Sequence, residues 1–384
     1  MKKVTSRSLG NKLERELWAR AAGRCQFNGC NRLLYKSLVT QESINASQRA
    51  HIYSFSINGP RGQGSYEDNT DNINELSNLM LVCHPCHQTI DPEENTQKYS
   101  AAQLQSWKLE HEQRIKIVTG IDSDKKSHVV VYGANIGMEA SPIDYTKCVQ
   151  AMFPNWYPAE ERPHVLSMNS ALRDHNADYW QAEISNLYAI FERRIVPLIE
   201  TDDCKHYSLF AFAPQPLLIL LGKLFTDKRF LETYQLHRES VPGWEWQDDP
   251  DNFEFITHLP ENREDPPALL ISLSDHVNYD RIYKAIGEKT SIWELTVKVP
   301  GNDFLKSKSQ LSLFRNKIRE LMVAIKQHHG NTTPLSIFPA MPIACAVELG
   351  RARMPKAEMP WVIYDQNSKA NGFIQTIEIS GVGK

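Results

Sequence analysis

Two close pairs of cysteines constrain the fold of the first third of the chain more than any other feature of the sequence. Four residues separate Cys25 from Cys30, and two residues separate Cys83 from Cys86. Two knuckles of this kind can present four thiolates to one tetrahedral Zn²⁺. Because four protein ligands leave no open position, this zinc ion would be structural, and its binding energy would contribute to folding. The other three of the seven cysteines are scattered, and we expect them to be small buried residues.

Length and composition indicate a globular protein of more than one domain. A chain of 384 residues exceeds one ordinary core, and 41% hydrophobic with 23% charged residues is typical of soluble domains. The chain has no run of about 18 apolar residues, which predicts that it does not span a membrane. No apolar segment follows the basic first residues, so we expect no secretory signal and a cytoplasmic location, where thiols stay reduced.

A polar stretch at 122–128 separates two regions of different pattern. We predict a domain over residues 1–120, a linker over 121–149 and a second domain over 150–384. In the second domain, apolar strand-like runs alternate with helical stretches, which favours an α/β architecture with a mostly parallel sheet. The passages FAFAPQP at 210–216 and SIFPAMP at 336–342 resemble each other and indicate a duplicated half.

The first forty residues are strongly basic. Residues 1–40 carry nine lysines and arginines but only two glutamates, although the net charge of the whole chain is −3. A basic segment suits the phosphate backbone of nucleic acid, because binding releases condensed counterions. The same pattern is also typical of a solvated basic helix face.

Three residues between and directly after the two cysteine pairs have the order of a nuclease motif. His51 lies in the strand-like segment RAHIY, Asn78 lies in SNLMLVC, and His87 directly follows the second knuckle. This order, interlocked with the two cysteine pairs, resembles the HNH (ββα-metal) nuclease family over about a third of the chain. The resemblance implies a zinc-stapled α+β endonuclease module that cuts double-stranded DNA.

The resemblance to HNH nucleases assigns a role to each of these residues. His51 takes the position of the general base, and Asn78 takes the position that orients this base or completes the metal shell. His87 takes the position of a ligand to the catalytic metal, and Asp91 would lie on the same helix face as a second ligand. A single Mg²⁺ held there would offset charge on the scissile phosphate and assist the leaving oxygen. Many HNH modules have a further metal ligand directly before the base, where this chain has Ala50.

The second domain resembles a family of nucleotide sensors. The segments HYSLFAFAPQPLLILLG, ISLSDHV and FPAMPIACAVELGRARMPK are similar to those of the SAVED domain, which consists of two fused CARF-like halves. The whole chain resembles the HNH–SAVED effector nucleases of bacterial cyclic-oligonucleotide-based antiphage (CBASS) systems. The resemblance implies a DNA endonuclease that a cyclic di- or trinucleotide activates. It also implies a homo-oligomer, a dimer that assembles further when the ligand binds.

Loops at the carboxyl ends of strands are where a small ligand binds in an open α/β sheet. We expect the ligand to contact Gln215, Ser274, Lys306 and Met341, which lie in or beside such loops. A cyclic nucleotide also requires flat faces against its bases and positive charge near its phosphates. Candidates for these two roles are the aromatic residues Trp156, Trp244, Trp246, Tyr279, Phe304 and Tyr364 and the arginines Arg315, Arg351 and Arg353.

Two other functions remain compatible with the sequence. The chain could be a restriction-type HNH nuclease whose C-terminal domain recognises DNA, or a non-catalytic, zinc-dependent regulator that binds DNA. The acidic balance of residues 121–384 argues against a second DNA-binding face, because like charges repel the phosphate backbone. The regulator alternative requires that replacement of His51 by alanine leave function intact.

Overall fold

The computed structural model describes residues 9–66, 72–136, 143–167, 172–176, 178–201, 203–239, 242–353, 359–367, 369 and 372–380. The chain divides into two compact units between Asp122 and Ser123. Three of the basic residues near the start of the sequence, Lys2, Lys3 and Arg7, lie outside the described residues. Within the described part of the chain, no helix combines the length and apolar character that crossing a bilayer requires.

The first unit contains three helices and one antiparallel pair of strands among its described residues. Their bounds are α1 (Asn11–Ala21), β1 (Ser47–His51), β2 (Leu79–Cys83), α2 (His84–Ile90) and α3 (Ala101–Thr119). Short 3₁₀ turns at 64–66, 76–78 and 93–95 connect them.

Strand β2 forms the centre of the core of the first unit. All five residues of its LMLVC sequence are buried, and the antiparallel pairing with β1 places His51 opposite Leu79. Helix α1 contributes the buried Leu17 to this core, and α3 contributes the buried Leu104. Helix α2 follows β2 without an intervening residue, with Pro85 in its first turn, where the missing N–H costs nothing. The order β1, β2, α2 therefore carries His51 and the second cysteine knuckle on adjoining elements.

The second unit begins with a parallel five-stranded sheet. Strands β4, β3, β6 and β7 lie in that order, and β5 also pairs with β3. The elements are β3 (Lys126–Gly133), α4 (Tyr145–Met152), β4 (Tyr157–Pro158), β5 (His164–Val165), α5 (Tyr179–Arg194), α6 (Val196–Thr201), β6 (His206–Phe212), α7 (Gln215–Phe225) and β7 (Phe230–Thr233).

A second, six-stranded sheet follows in the order β13, β12, β11, β9, β10, β8. Its four central strands are parallel, whereas β8 and β13 pair antiparallel at the two edges. The elements are β8 (Phe255–His258), β9 (Pro267–Ser272), α8 (Tyr279–Ile286), β10 (Ser291–Val297), α9 (Lys308–His329), β11 (Leu335–Ala340), α10 (Ile343–Ala352), β12 (Trp361–Asn367) and β13 (Gly372–Ile379). The α/β architecture with mostly parallel sheets is therefore confirmed.

The two sheets repeat one arrangement. The order β3, β6, β7 in the first sheet matches β9, β11, β12 in the second, and a helix follows the middle strand in each, α7 or α10. These two helices cross closely: a Cβ added at Gly222 would lie 1.9 Å from the carbonyl oxygen of Val347, and one at Gly350 would lie 1.9 Å from that of Ile219. Each glycine is the eighth residue after the proline that precedes its helix. The equivalent contacts on both helices agree with the duplication that the sequence indicated.

The prediction of a linker over residues 121–149 is wrong for most of this segment. Residues 126–133 form strand β3, which is buried except for Lys126 and the half-buried Val131 and whose backbone pairs with β6. Helix α4 begins at Tyr145 and buries Cys148 and Met152. The polar residues at 122–128 made the segment resemble a linker, but the strand continues through the buried VVVYG sequence that follows. The second unit therefore begins at Ser123 and not at residue 150.

Candidate functional site

The four cysteines predicted to bind zinc lie together in the first unit. Their Sγ atoms are all within 4.8 Å of one another, and the Sγ atoms of Cys30 and Cys83 are 3.8 Å apart. Four thiolates at about 2.3 Å from a tetrahedral zinc ion would lie about 3.8 Å from one another, so this donor set fits zinc. Burial raises the pKa of the Cys25 thiol to about 12, and a cation bound by the cluster would offset the cost of ionising it.

A cavity of about 350 Å³ in the first unit is lined by three of the predicted site residues. His51 ends β1, His87 lies on α2, and Asp91 directly follows α2. Nδ1 of His87 is 3.3 Å from a carboxylate oxygen of Asp91, the proximity expected for residues four apart on a helix. Arg49 and Arg61 line the same cavity. The cavity thus combines two imidazoles, one carboxylate and two cations, which is chemistry suited to a phosphate group.

A hydrogen bond to Asn74 determines the tautomer of His51. Nε2 of His51 is 2.9 Å from Oδ1 of Asn74. Because an amide oxygen can only accept, Nε2 carries the hydrogen, and the lone pair of the neutral ring lies on Nδ1. Asn74 was not predicted from the sequence, because it lies in a polar segment before β2 that has no periodic pattern. A neutral imidazole held in one tautomer has the property that a general base requires.

Asn78 is directed into the protein interior. Its side chain is fully buried, and its Oδ1 accepts from the Tyr53 N–H over 2.7 Å. Its Nδ2 donates to the carbonyls of Tyr53 over 3.0 Å and of Ile73 over 2.9 Å. Asn78 therefore holds together the segment after β1 and the segment before β2. These bonds engage both ends of the amide inside the protein, so Asn78 does not complete a metal shell, and its role in orienting the base stays a prediction.

Arg61 is a further candidate, which was not predicted from the sequence. Its side chain is only 5% exposed, and it donates to the carbonyls of Ile52 over 2.6 Å and of Ile90 over 2.7 Å. Its guanidinium also lies 3.8 Å from the Asp91 carboxylate. Burial lowers the pKa of Arg61, and the negative charge of Asp91 acts in the opposite direction. Arg61 therefore anchors the loop around it to the elements that carry the two histidines; the sequence pattern indicated only a loop.

Ala50 supplies no ligand to this cavity. It is 1% exposed and packs in the core of the first unit. Successive side chains of a strand point to opposite faces, so the neighbour of His51 on β1 is directed inwards. Within the described residues around the cavity, His87 and Asp91 are therefore the groups placed to hold a cation.

Hydrogen bonds link the segments that carry three of the four residues expected to contact the nucleotide. The N–H of Met341, directly after β11, donates to Oε1 of Gln215, the first residue of α7, over 3.1 Å. The N–H of Ser274, after β9, donates to the carbonyl of Ala340 over 2.8 Å. Met341 is only 3% exposed, so its side chain belongs to the core. Lys306 lies two residues before α9, outside these hydrogen bonds.

Several of the other candidates interact inside the protein. Trp244 is 1% exposed in a core cluster, and the hydroxyl of Tyr279 donates to Glu294 over 2.7 Å. Arg351 is almost fully buried and forms an ion pair with Glu348 at 2.7 Å. These contacts correct the expectation that Trp244 and Arg351 present a face or a charge to a ligand.

A larger cavity, of about 1270 Å³, opens at the amino ends of β3 and β6 rather than at their carboxyl ends. The predicted candidates Trp156, Trp246 and Arg315 line it. The ring of Trp156 stacks on that of His206, with centroids 3.5 Å apart and planes at 12°. Burial lowers the pKa of His206 to about 4, so this ring is neutral near pH 7. His206 was missed because strand pairing brings it beside a residue fifty positions away.

Comparison with known proteins assigns much of the second unit to a family. Residues 187–379 match the SAVED family, described as the SMODS-associated and fused to various effectors sensor domain. The chain belongs to the SAVED family. This SAVED region (residues 187–379) begins within α5 and ends with β13, so it contains all four residues expected to contact the nucleotide. The first unit and β3 lie outside it. No curated protein matches the chain significantly.

Solved structures similar to the chain include Cap4 SAVED/CARF-domain containing receptors from two bacteria. The Acinetobacter baumannii receptor with the cyclic trinucleotide 2'3'3'-cAAA is 14% identical, over 82% of this chain and 66% of that chain, with a TM-score of 0.42. The same receptor with 3'3'3'-cAAA is 13% identical, over 82% and 67%, with a TM-score of 0.43. The Moraxella osloensis receptor is 11% identical, over 81% and 70%, with a TM-score of 0.37. The chain thus spans about two thirds of the length of the Acinetobacter receptor.

Proposed function

We propose that the chain is an HNH-type endonuclease that cuts double-stranded DNA in the cavity of the first unit. The observation that carries the proposal is that His51, His87 and Asp91, singled out by a nuclease motif, all line this one cavity. The cluster of four cysteines would hold a structural zinc ion in the same unit. The arginines of the cavity provide the positive charge that a phosphodiester requires.

The chemistry assigned to His51 follows from its tautomer. Nδ1 would take a proton from the water whose oxygen forms a bond to phosphorus, while the bond from phosphorus to the leaving oxygen breaks. The ring becomes an imidazolium, and the Nε2–H continues to donate to Asn74. Asn74 is therefore a positioning residue, whereas His51 is the general base.

His87 and Asp91 are the residues that would hold a divalent cation. One imidazole nitrogen and one carboxylate oxygen form a sparse donor set, which fits Mg²⁺ because this ion keeps several of its waters. When bound, the cation supplies charge stabilisation for the phosphate and the leaving oxygen. The guanidinium of Arg61, 3.8 Å from Asp91, competes with the cation for that carboxylate.

Plasmid cleavage tests the nuclease proposal. We expect the purified full chain with Mg²⁺ to convert supercoiled plasmid to nicked and linear forms in the presence of an activating cyclic nucleotide. Replacing the base by His51→Ala lowers the cleavage rate by about 10²- to 10⁴-fold. The matched control is His84→Ala, which removes an exposed imidazole of α2 that does not line the cavity.

The other outcomes of this assay separate the alternatives. Cleavage at the full rate without any nucleotide favours a restriction-type nuclease. Tight DNA binding without cleavage under any condition contradicts the nuclease proposal and favours a zinc-dependent regulator.

We further propose that the SAVED region binds a cyclic di- or trinucleotide and that binding activates the nuclease, as in a CBASS effector. The family assignment supports this, since the family is described as a sensor domain fused to various effectors. Activation requires that the ligand bind one state of the protein more tightly than the other. We propose that the ligand favours a homo-oligomer, namely a dimer that assembles further when the nucleotide binds.

Calorimetric titration with a panel of cyclic di- and trinucleotides tests the sensor proposal. We expect at least one member to bind and Gln215→Ala to weaken its binding about tenfold or more, because a lost hydrogen bond in a desolvated site is costly. Gln375→Ala, on the exposed side of β13, is the matched control. Failure of all members of the panel to bind would contradict the proposal.

A further inference from the structure

Two histidines and a glutamate meet at one side of the first sheet of the second unit. His128 lies on β3, His164 begins β5, and Glu160 lies in the turn between β4 and β5. One ligand atom from each of the three lies within 4.8 Å of the others. None of these residues belongs to the proposed nuclease site or to the SAVED region.

The three donor atoms lie close enough together to share one metal ion. Nδ1 of His128 is 2.6 Å from Oε1 of Glu160, and Nε2 of His164 is 3.4 Å from the same oxygen. Ligands at about 2.05 Å from a tetrahedral zinc ion lie about 3.3 Å from one another. The separation of Glu160 from His164 is close to this value, whereas Oε1 of Glu160 would move away from Nδ1 of His128 when an ion binds.

The surrounding backbone holds the three side chains in place. Strands β4 and β5 both pair with β3, which sets the positions of the two histidines relative to each other. The N–H of Ala159 donates to the carbonyl of Ser127 over 2.9 Å, and the Tyr145 hydroxyl donates to the carbonyl of Glu160 over 3.1 Å. The turn that carries the carboxylate is therefore held by these two bonds near Glu160 and by the paired strands on either side of it.

The burial of the two histidines and the access of Glu160 to solvent are also typical of a metal site. The side chain of His128 is 1% exposed and that of His164 is 21% exposed, so their donor atoms have lost most of their hydration. Glu160 lines the cavity of about 1270 Å³, which gives an ion a route from solvent. Two imidazoles and one carboxylate suit zinc and similar divalent transition metals better than Mg²⁺.

We propose that His128, Glu160 and His164 form a binding site for a divalent transition-metal ion of the zinc class. The ligands would be Nδ1 of His128, Oε1 of Glu160 and Nε2 of His164. Three protein ligands leave one position of a tetrahedral ion for water or a small anion. The ion joins β3, β5 and the turn before β5, and thereby stabilises the edge of the first sheet.

Zinc titration of the full chain tests this site. The protein is first loaded at the cysteine cluster and then titrated with ZnCl₂ in a calorimeter, with total zinc measured by mass spectrometry. We expect one further equivalent of zinc in the wild type, with affinity about 100-fold or more weaker in His164→Ala and in the conservative variant Glu160→Gln. His276→Ala, which removes an exposed histidine outside the cluster, is expected to bind zinc as the wild type does.

A second readout distinguishes a metal site from a purely structural triad. We expect zinc to increase the protection of residues 157–165 against hydrogen exchange in the wild type, and to leave it unchanged in Glu160→Gln. Absence of the further equivalent in the wild type, or its retention in both variants, would overturn the proposal. Circular dichroism of each variant verifies that it is folded, and neither result depends on whether the chain cleaves DNA.

Discussion

Among contacts between individual residues, the hydrogen bond between His51 and Asn74 is the one on which the proposed chemistry depends most. It places the hydrogen on Nε2 and the lone pair on Nδ1. The neighbouring Asn78 acts one step further away, since its amide holds the backbone of Tyr53 two residues beyond the base. Loss of either amide would leave the base present but poorly oriented.

Replacement of Asn74 tests whether cleavage requires the orientation of the His51 ring as well as its presence. We expect Asn74→Ala to reduce the rate of plasmid cleavage about 10- to 100-fold, as outer-shell partners of active-site imidazoles do. Asn74→Asp keeps the acceptor and is expected to restore most of the rate. Its negative charge also raises the pKa of His51, so the rising limb of the pH–rate profile moves to higher pH. Cleavage by Asn74→Ala at the wild-type rate and pH profile would contradict the assigned role.

Asp365 on β12 makes stability depend on pH. Burial of its carboxyl group and, second, the charge of Asp174 raise the pKa of Asp365 to about 7. Because this pKa lies above the unfolded value of about 3.9, the stabilising contribution of the neutral form is complete below pH 4 and is lost as pH rises through 7. We expect Asp365→Asn to raise the free energy of unfolding by about 2 kcal/mol more at pH 8 than at pH 5.

Urea unfolding at both pH values measures this effect. The matched control is Asp251→Asn, which replaces an exposed carboxylate and is expected to show no such pH dependence. Equal effects of the two substitutions at the two pH values would show that Asp365 is ionised in the folded protein.

At the residue scale, motif spacing predicted which site residues lie close together. It did not predict the residues that hold them in position. The four cysteines cluster, and His51, His87 and Asp91 share a cavity. Arg61 and Asn74 were not predicted, because each acts through contacts with segments far away in sequence. Their own surroundings are glycine-rich or polar and carry no pattern that indicates burial.

At the scale of elements, the crossing of α7 and α10 joins the two halves of the second unit. Each helix presents a glycine to a carbonyl oxygen of the other, which allows the backbones to approach closely. The apolar sequence of each helix and the proline before it are visible in the sequence, and each helix begins directly after that proline. The contact between them was not predictable, because it depends on how two sheets about 130 residues apart in sequence are brought together.

An added methyl group at this crossing tests the packing directly. We expect Gly222→Ala to lower the free energy of unfolding by about 1–3 kcal/mol or more, because the new Cβ would overlap the carbonyl oxygen of Val347 and the backbone must shift. The control is Gly301→Ala, where no atom lies within 4 Å of the new Cβ and the backbone is not in the left-handed region. Thermal unfolding of both variants gives the comparison, and equal stability would show that the helices do not approach this closely.

Strand β3 shows the limit of sequence patterns at the element scale. Its first residues are polar, and the segment around it lacks the alternation that marks a half-buried strand. A strand inside a parallel sheet is buried on both faces, so a short apolar run such as VVVYG is all that identifies it. The boundary at 120 was close to the observed division at Asp122, whereas the following linker was mostly wrong.

At the scale of the whole molecule, the two units have separate cores. The core of the first unit comprises residues between Leu9 and Leu104, and those of the second comprise residues from Val129 to Ile379. The zinc ion proposed for the four cysteines would therefore stabilise the first unit alone.

Removal of one cysteine tests whether zinc stabilises the first unit alone. We expect Cys83→Ser to lose about one equivalent of zinc and to unfold the first unit, because zinc-binding energy is folding energy in such a module. Residues 123–384 should remain folded and resist limited proteolysis. Cys148→Ser, which replaces a buried cysteine outside the cluster, is expected to keep the zinc. A folded, metal-free first unit in Cys83→Ser would contradict the structural role of zinc.

The initial rate of plasmid cleavage, measured against the concentration of the cyclic nucleotide that binds, tests the proposed function as a whole. We expect a rate that rises from background and saturates over the concentrations at which the nucleotide binds the SAVED region. His51→Ala should bind the nucleotide equally well and cleave at background. A cleavage rate that does not change with the nucleotide, or a His51→Ala variant that cleaves as the wild type does, would contradict it.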